Sequence, residues 1–382
     1  MKRTLLLLLT LFAAAAIRAA QPAKAPVALP DRAEVLAAMV RANDYFMHRY
    51  ADPTAVIPYY SRKKVYESNL WTRAVYYEGL MALYSIWPEN RYYDYACRWA
   101  DFHKWGMRRD ETTTRNADNY CCAQVYIDLY RLCPEPERLR KTASLVQMYL
   151  ATPQIDDWTW IDAVQMGMPV LVKYGALKQD PRCFEKAWQM YAWTRNELAG
   201  GLYNERDGLW WRDAAFVPPY KSPNGKSCYW SRGNGWIVAA LVRVLSELPA
   251  DDPHRAVYEQ DLKTMCAALK KCRRADGFWN VNLADAADFG GPELTGTALF
   301  VYGMAWGVNN GLLDRDAYLP VIVSSWQALA GAVHENGFLG YVQGTGKEPK
   351  DGQPVTFDSM PDFEDYGLGC LLLAGSEVYK LH

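Results

Sequence analysis

One unit recurs along the C-terminal half of the chain. An Asp-Gly or Asn-Gly turn carrying a large apolar residue is followed by a loop and then by a glycine-rich entry into an apolar helix. Asp207-Gly208-Leu209-Trp210, Asp276-Gly277-Phe278-Trp279 and Asn336-Gly337-Phe338-Leu339 are the turns, about 60 to 70 residues apart. The helix entries that follow are Arg232-Gly233-Asn234-Gly235-Trp236, Leu294-Thr295-Gly296-Thr297-Ala298 and Tyr366-Gly367-Leu368-Gly369. A supersecondary unit repeated at such a period has an apolar face that only a neighbouring copy covers, so the copies must stack or close on themselves.

The pattern between the turns is helical. Residues 70–86, 119–132, 163–174, 184–198, 236–248 and 297–308 carry apolar side chains three and four apart, often on more than one face, which predicts inner helices. Residues 91–105 and 258–271 are more one-sided and predict outer, covering helices. More divergent loops at 69–71, 116–118 and 158–162 extend the repeat into the N-terminal half. Six hairpins, roughly twelve helices, fit the length available. No stretch shows period-two strands. The expectation is therefore an all-α chain, a closed toroid of six helical hairpins, whose long aromatic and polar loops gather at one end as a cleft.

Composition narrows the chemistry. Half of the 382 residues are apolar and the formal charge is −1, which gives ample core and no basic excess of the kind that tracks nucleic-acid phosphates. Trp (15) and Tyr (26) outnumber Phe (11), so the favoured rings carry a polar handle and suit a sugar-binding cleft. Residues 1–20 stand apart: Lys2 and Arg3, an apolar run from Leu5 to Ala16, then Ala19 and Ala20 read as a cleavable export signal too short to span a bilayer. No Cys precedes Cys97 to accept a lipid at the cleavage point. A periplasmic or secreted protein of residues 21–382, a single domain of about −4 charge with no membrane insertion, is expected. The nine cysteines are an odd number in a chain too large to need staples, and the five histidines match no metal-ligand spacing.

Three segments carry candidate chemistry. In Trp160-Ile161-Asp162-Ala163-Val164-Gln165-Met166, Asp162 sits between Trp160 and Met166 where an inner helix begins, and desolvation there raises a carboxyl pKa toward that of a general acid. Asp118, within Arg115-Asn116-Ala117-Asp118-Asn119, is a second carboxylate at the same end of the toroid. Helix capping is the plain alternative for both. In Tyr229-Trp230-Ser231-Arg232-Gly233-Asn234-Gly235-Trp236, Arg232 offers a fork for a carboxylate and Trp236 a stacking face, the alternative being tight helix packing around a structural arginine.

Together, in this order, the three segments resemble the unsaturated rhamnogalacturonyl hydrolases of glycoside hydrolase family 105 and their relatives, the unsaturated glucuronyl hydrolases of family 88. The resemblance covers about residue 70 to the C-terminus. It implies an (α/α)6 barrel and removal of a 4,5-unsaturated uronic acid from the non-reducing end of a lyase-generated oligosaccharide, without metal or organic cofactor. It implies Asp162 as general acid and base, Asp118 as the second acidic residue, and Arg232, Trp236, Trp160, Met166, Trp210 and Trp230 around the substrate. Where many relatives place a His after the Gly-Leu-Trp loop, this chain reads Trp210-Trp211-Arg212-Asp213. Arg212 does not give up a proton and is expected to bind substrate charge instead. An inverting glycosidase on the same scaffold and a non-catalytic glycan-binding protein remain the alternatives.

Overall fold

The computed structural model describes residues 27–59, 63–359 and 365–382, so the expected export signal lies outside the described residues. In chain order the first elements are α1 (Arg32–Arg49), β1 (Ile57–Tyr59), β2 (Lys64–Tyr66), α2 (Trp71–Ile86), α3 (Asn90–Phe102), α4 (Ala117–Tyr120), α5 (Ala123–Leu132) and α6 (Pro136–Leu150). They continue with α7 (Ile161–Lys178), α8 (Pro181–Asn196), β3 (Tyr203–Asn204), β4 (Leu209–Trp210), α9 (Ser231–Leu245) and α10 (Arg255–Lys271). The last are α11 (Leu294–Asn309), α12 (Arg315–Gly331) and α13 (Asp365–Tyr379).

Helices α2, α5, α7, α9, α11 and α13 pack side by side in that order, and α13 packs on α2, which closes an inner ring of six. The outer helices α3, α6, α8, α10 and α12 each cover the inner helix they follow or precede, and α1 covers α13. This is the (α/α)6 barrel. Its two layers follow from the sequence pattern. Inner α11 is buried without interruption from Leu294 to Val308 and α7 from Ile161 to Gly175, whereas outer α3 buries only the stripe Tyr92, Tyr95, Ala96, Trp99 and Ala100.

The three repeated turns behave alike. Gly208, Gly277 and Gly337 have φ of 67°, 96° and 92°, and a Cβ on any of them would press on the next outer helix: Thr264 of α10, Ser324 of α12 and Arg41 and Tyr45 of α1. Only glycine combines that backbone with that approach. The third turn makes α1 the outer helix of the last hairpin, so the two ends of the chain close the ring. Buried Arg73 of α2 meets Asp365 of α13 at 2.9 Å there, and a Cβ on Gly79 would lie 2.5 Å from the Gly369 carbonyl oxygen.

Three expectations need correction. Residues 184–198, expected as an inner helix, belong to outer α8, which buries one face (Cys183, Phe184, Ala187, Met190, Tyr191, Thr194) against α7. The helix expected over 119–132 is broken at Cys121 and Cys122, where Gln124 and Val125 bond three residues back, at 3.1 Å each. The helices expected from 236 and 297 begin earlier, at Ser231 and Leu294, and take in the glycine-rich entries. Arg232 to Gly235 and Gly296 lie in the first turns of α9 and α11, where small residues let the helices touch: a Cβ on Gly235 would sit 3.0 Å from Leu299. Two short two-stranded ribbons, β1–β2 and β3–β4, carry no period-two pattern long enough to read in advance. All nine cysteines are free thiols, six of them buried. Among the described residues no helix is long and apolar enough to cross a membrane.

Candidate active site

A cleft of about 510 Å³ opens where α2, α4 and α7 begin. Asp118, Asp162, Trp160, Met166 and Arg212 line it, and with them Tyr59, Tyr66, Trp71, Arg108, Asn119, Thr345, Lys347 and Asp351. Two of the three segments that pointed to chemistry, those of Asp118 and Asp162, thus meet at one mouth.

Neither aspartate is a helix cap. The cap position of α7 is Trp160, so Asp162 falls inside the first turn, and the cap of α4 is Asn116, whose side chain accepts the Asp118 amide at 2.9 Å. Asp162 is almost wholly buried and its Oδ2 has no hydrogen-bond partner. The structure supplies the reason for its position. The Ile161 amide donates to the Arg212 carbonyl at 3.0 Å and Trp160 bridges to Asp213, so α7 starts against the segment after β4 that carries Arg212. Arg212 Nε then lies 3.4 Å from Asp162 Oδ2, while its Nη1 donates to Asp213 at 2.5 Å. Burial raises the Asp162 carboxyl pKa, and the nearby Arg212 and Arg232 guanidiniums oppose the rise. Burial and the charge on Asp162 push half-buried Asp118 up to about 7, against the pull of Arg212 and Arg108. Two interacting carboxyls of this kind retain a proton near neutrality.

A second set of bonds fixes the loops. Arg115 grips Asp157 through both prongs at 2.6 and 2.5 Å, tying the approach to α4 to the approach to α7. Beneath them Tyr120 Oη receives Trp158 Nε1 at 3.1 Å and Tyr149 Oη at 3.0 Å, over Gly167, where a Cβ would meet that hydroxyl.

Four expected contact residues do not line the cleft. Arg232 is fully buried and donates to the Gln343 and Gly344 carbonyls at 2.8 and 3.0 Å, so its fork is occupied by backbone. Trp236 is buried edge-on to Trp71, at 6.0 Å and 87°, and it is Trp71 that reaches the cleft. Trp210 packs among Tyr191 and Tyr203, its backbone clamped by Asn234 at 2.8 and 3.0 Å, and Trp230 donates to Gln343 Oε1 at 2.8 Å. The Arg-Gly-Asn-Gly-Trp segment is therefore scaffold beneath the site. Sequence reasoning passed over Trp71, although it lies beside a loop of the repeat. Arg108, Thr345 and Lys347 belong to no motif, and nothing local marks them. Among the described residues no group of three His, Cys, Asp or Glu side chains is placed to hold a metal.

The Glycosyl Hydrolase Family 88 model matches residues 38–382. The chain belongs to this family. A family 88 glycosyl hydrolase structure from Bacteroides vulgatus superposes with a TM-score of 0.83 at 32% identity, covering 92% of this chain and all of that one. An unsaturated 3S-rhamnoglycuronyl hydrolase from Formosa agariphila is 31% identical over 331 residues, 81% of this chain and 84% of that protein. A solved structure described as a polysaccharide lyase is also similar, with a TM-score of 0.81 and 31% identity over 91% of this chain and 97% of its own. As a family 88 member the chain is a glycoside hydrolase.

Proposed function

We propose that this family 88 enzyme removes a 4,5-unsaturated uronic acid from the non-reducing end of oligosaccharides released by a polysaccharide lyase. The observation that carries this reading is the cluster Asp162, Asp118 and Arg212 in one aromatic-walled cleft. Nη1 of Arg212 is engaged by Asp213 and its Nε faces Asp162, and the residue lines the cleft, where its guanidinium supplies the positive charge that would receive the uronate carboxylate. Trp71 and Trp160 supply ring faces and Met166 an apolar wall.

The unsaturated ring is a vinyl ether, and its cleavage begins at the double bond. Asp162, whose carboxyl pKa is raised by desolvation toward that of a general acid, gives a proton to C4. The C4=C5 electron pair forms the new C–H bond and leaves an oxocarbenium ion between C5 and the ring oxygen. Water adds at C5, returning its proton to the Asp162 carboxylate. The resulting hemiketal opens to a ketone, and the exposed hemiacetal at C1 releases the shortened sugar. Asp118, half protonated near pH 7, both accepts from and donates to ring hydroxyls and carries negative charge toward the cation.

The Formosa agariphila relative supports a uronyl-rhamnose oligosaccharide as substrate, and the leader-like residues 1–20 support an exported enzyme acting on imported or external fragments. The test is incubation with lyase digests of rhamnose-containing polyuronides, followed by the ultraviolet absorbance of the unsaturated ring. Absorbance is lost under this reading. An increase from intact polymer would favour the lyase chemistry suggested by the second structural neighbour, and new reducing ends with the chromophore intact would favour direct glycosidic hydrolysis.

A further inference from the structure

Between α11 and α13 the segment 343–352 doubles back, with the Gly344 amide donating to the Gly352 carbonyl at 3.0 Å. Four of its residues, Thr345, Gly346, Lys347 and Asp351, form one wall of the cleft. Such a loop has few apolar side chains to hold it, and its place is set from inside the barrel. Gln343, fully buried, donates through Nε2 to the carbonyls of Glu348, Pro349 and Asp351 at 3.2, 3.2 and 2.6 Å and accepts Trp230 Nε1 at 2.8 Å. Arg232 holds the Gln343 and Gly344 carbonyls with its two prongs, its guanidinium set 4.5 Å from the Trp230 ring and 5.0 Å from that of Tyr366. Tyr366 Oη donates to the same Gln343 carbonyl.

Thr345, one of the residues that line the cleft, holds a group without a partner. Thr345 Oγ1 is shielded from solvent and makes no hydrogen bond among the described residues. A buried hydroxyl left unpaired is unfavourable, and a sugar hydroxyl in the cleft would complete it.

We infer that the 343–352 loop is a substrate-reading wall, that Thr345 Oγ1 is a hydrogen-bonding contact for the bound sugar, and that Arg232 is the positioning residue that fastens this wall. The substrate part rests on the function proposed above; the fastening does not. Two adjacent carbonyls presented inward match the planar fork of an arginine, and a lysine ammonium does not reproduce that geometry. In this arrangement Arg232 influences catalysis through the place of Thr345, without touching the uronate.

Three measurements test it, each with folding checked by far-ultraviolet circular dichroism. Amide hydrogen exchange of peptides from 343–352 should quicken about tenfold or more in Arg232→Lys and in Gln343→Ala, while α3 keeps its protection. Unchanged exchange in whichever of the two folds overturns the fastening, whatever the substrate. With the unsaturated disaccharide and its uronate methyl ester, Arg232→Lys should raise KM by the same factor on both, and a rise confined to the free acid would place Arg232 on the carboxylate instead. Thr345→Val, which keeps the shape and deletes the hydroxyl, should raise KM about threefold to tenfold with kcat within about twofold, and less than additively with Arg232→Lys. An unaltered KM removes Thr345 from the contact. If the wild-type protein consumes no unsaturated uronate, the proposed function falls and the exchange result alone still decides what Arg232 does.

Discussion

A carboxylate at the start of a helix ordinarily caps it, and at Asp118 and Asp162 it does not, because Asn116 and Trp160 already occupy the cap positions. Freed from that duty, each side chain turns to the cleft and bears the cost of partial desolvation as a raised pKa. Asp162→Asn keeps the shape and deletes the exchangeable proton; turnover should fall about 100- to 10,000-fold while the melting temperature is kept or raised. Activity within tenfold of wild type would remove Asp162 from the chemistry. Asp118 predicts a pH dependence of stability. In the folded chain it keeps its proton up to about 7, against 3.8 for an ordinary aspartate. The folded state thus binds more protons than the unfolded one between those values, and this residue's contribution is lost as pH rises through the window. Asp118→Asn abolishes the titration, so its melting temperature should exceed that of wild type at pH 8 by more than at pH 4. An equal gap at both would show that the carboxyl is not raised. The aspartates could be marked as candidates because Trp160 and Met166 near Asp162, and Asn116 near Asp118, share the cleft with them, whereas their roles came from the family resemblance. Arg232 was misplaced for the opposite reason: its partners, the carbonyls of Gln343 and Gly344, lie more than a hundred residues away.

Helices gave up their identity readily and their starting points less so. Apolar spacing marked α2, α5, α7, α9 and α11 as inner but also took outer α8 for an inner helix, and α9 and α11 begin earlier than their apolar runs because Gly233, Gly235 and Gly296 are read locally as breakers. Their role is distance between axes, which no local pattern expresses. The same role predicts opposite outcomes for two glycine-to-alanine changes. Gly369→Ala puts a methyl group against the Val75 carbonyl where α13 crosses α2, and should cost about 1–3 kcal/mol, seen as a lower urea midpoint at unchanged slope. Gly331→Ala, at the exposed end of α12 with nothing within 4 Å, should be neutral or stabilise by up to about 1 kcal/mol. Equal effects at the two sites would refute the packing account.

Closure of the ring is a property of the whole chain. The last repeated turn packs on α1, α13 packs on α2, and buried Arg73 pairs with Asp365 across a separation of 292 residues. Asp365→Asn leaves an uncompensated buried guanidinium and should cost about 3–5 kcal/mol by chemical denaturation, although it touches nothing in the cleft. Near-neutral behaviour would mean that water reaches Arg73. Removing residues 1–49 should broaden the calorimetric transition or abolish it, since it exposes the outer face of α13; an unaltered single transition would show that five complete hairpins suffice. The repeat, the helical layers of most hairpins and the closed toroid follow from the sequence by itself, because each rests on periodicity, and the two aspartates were candidates by the residues around them and by resemblance to a family. The tertiary structure alone decided which aromatic faces the cleft, that Arg212 stands beside Asp162, and that Thr345 and Lys347 share a wall with them. Those relations join residues from different hairpins, and it is the curvature of the closed ring that sets their distances.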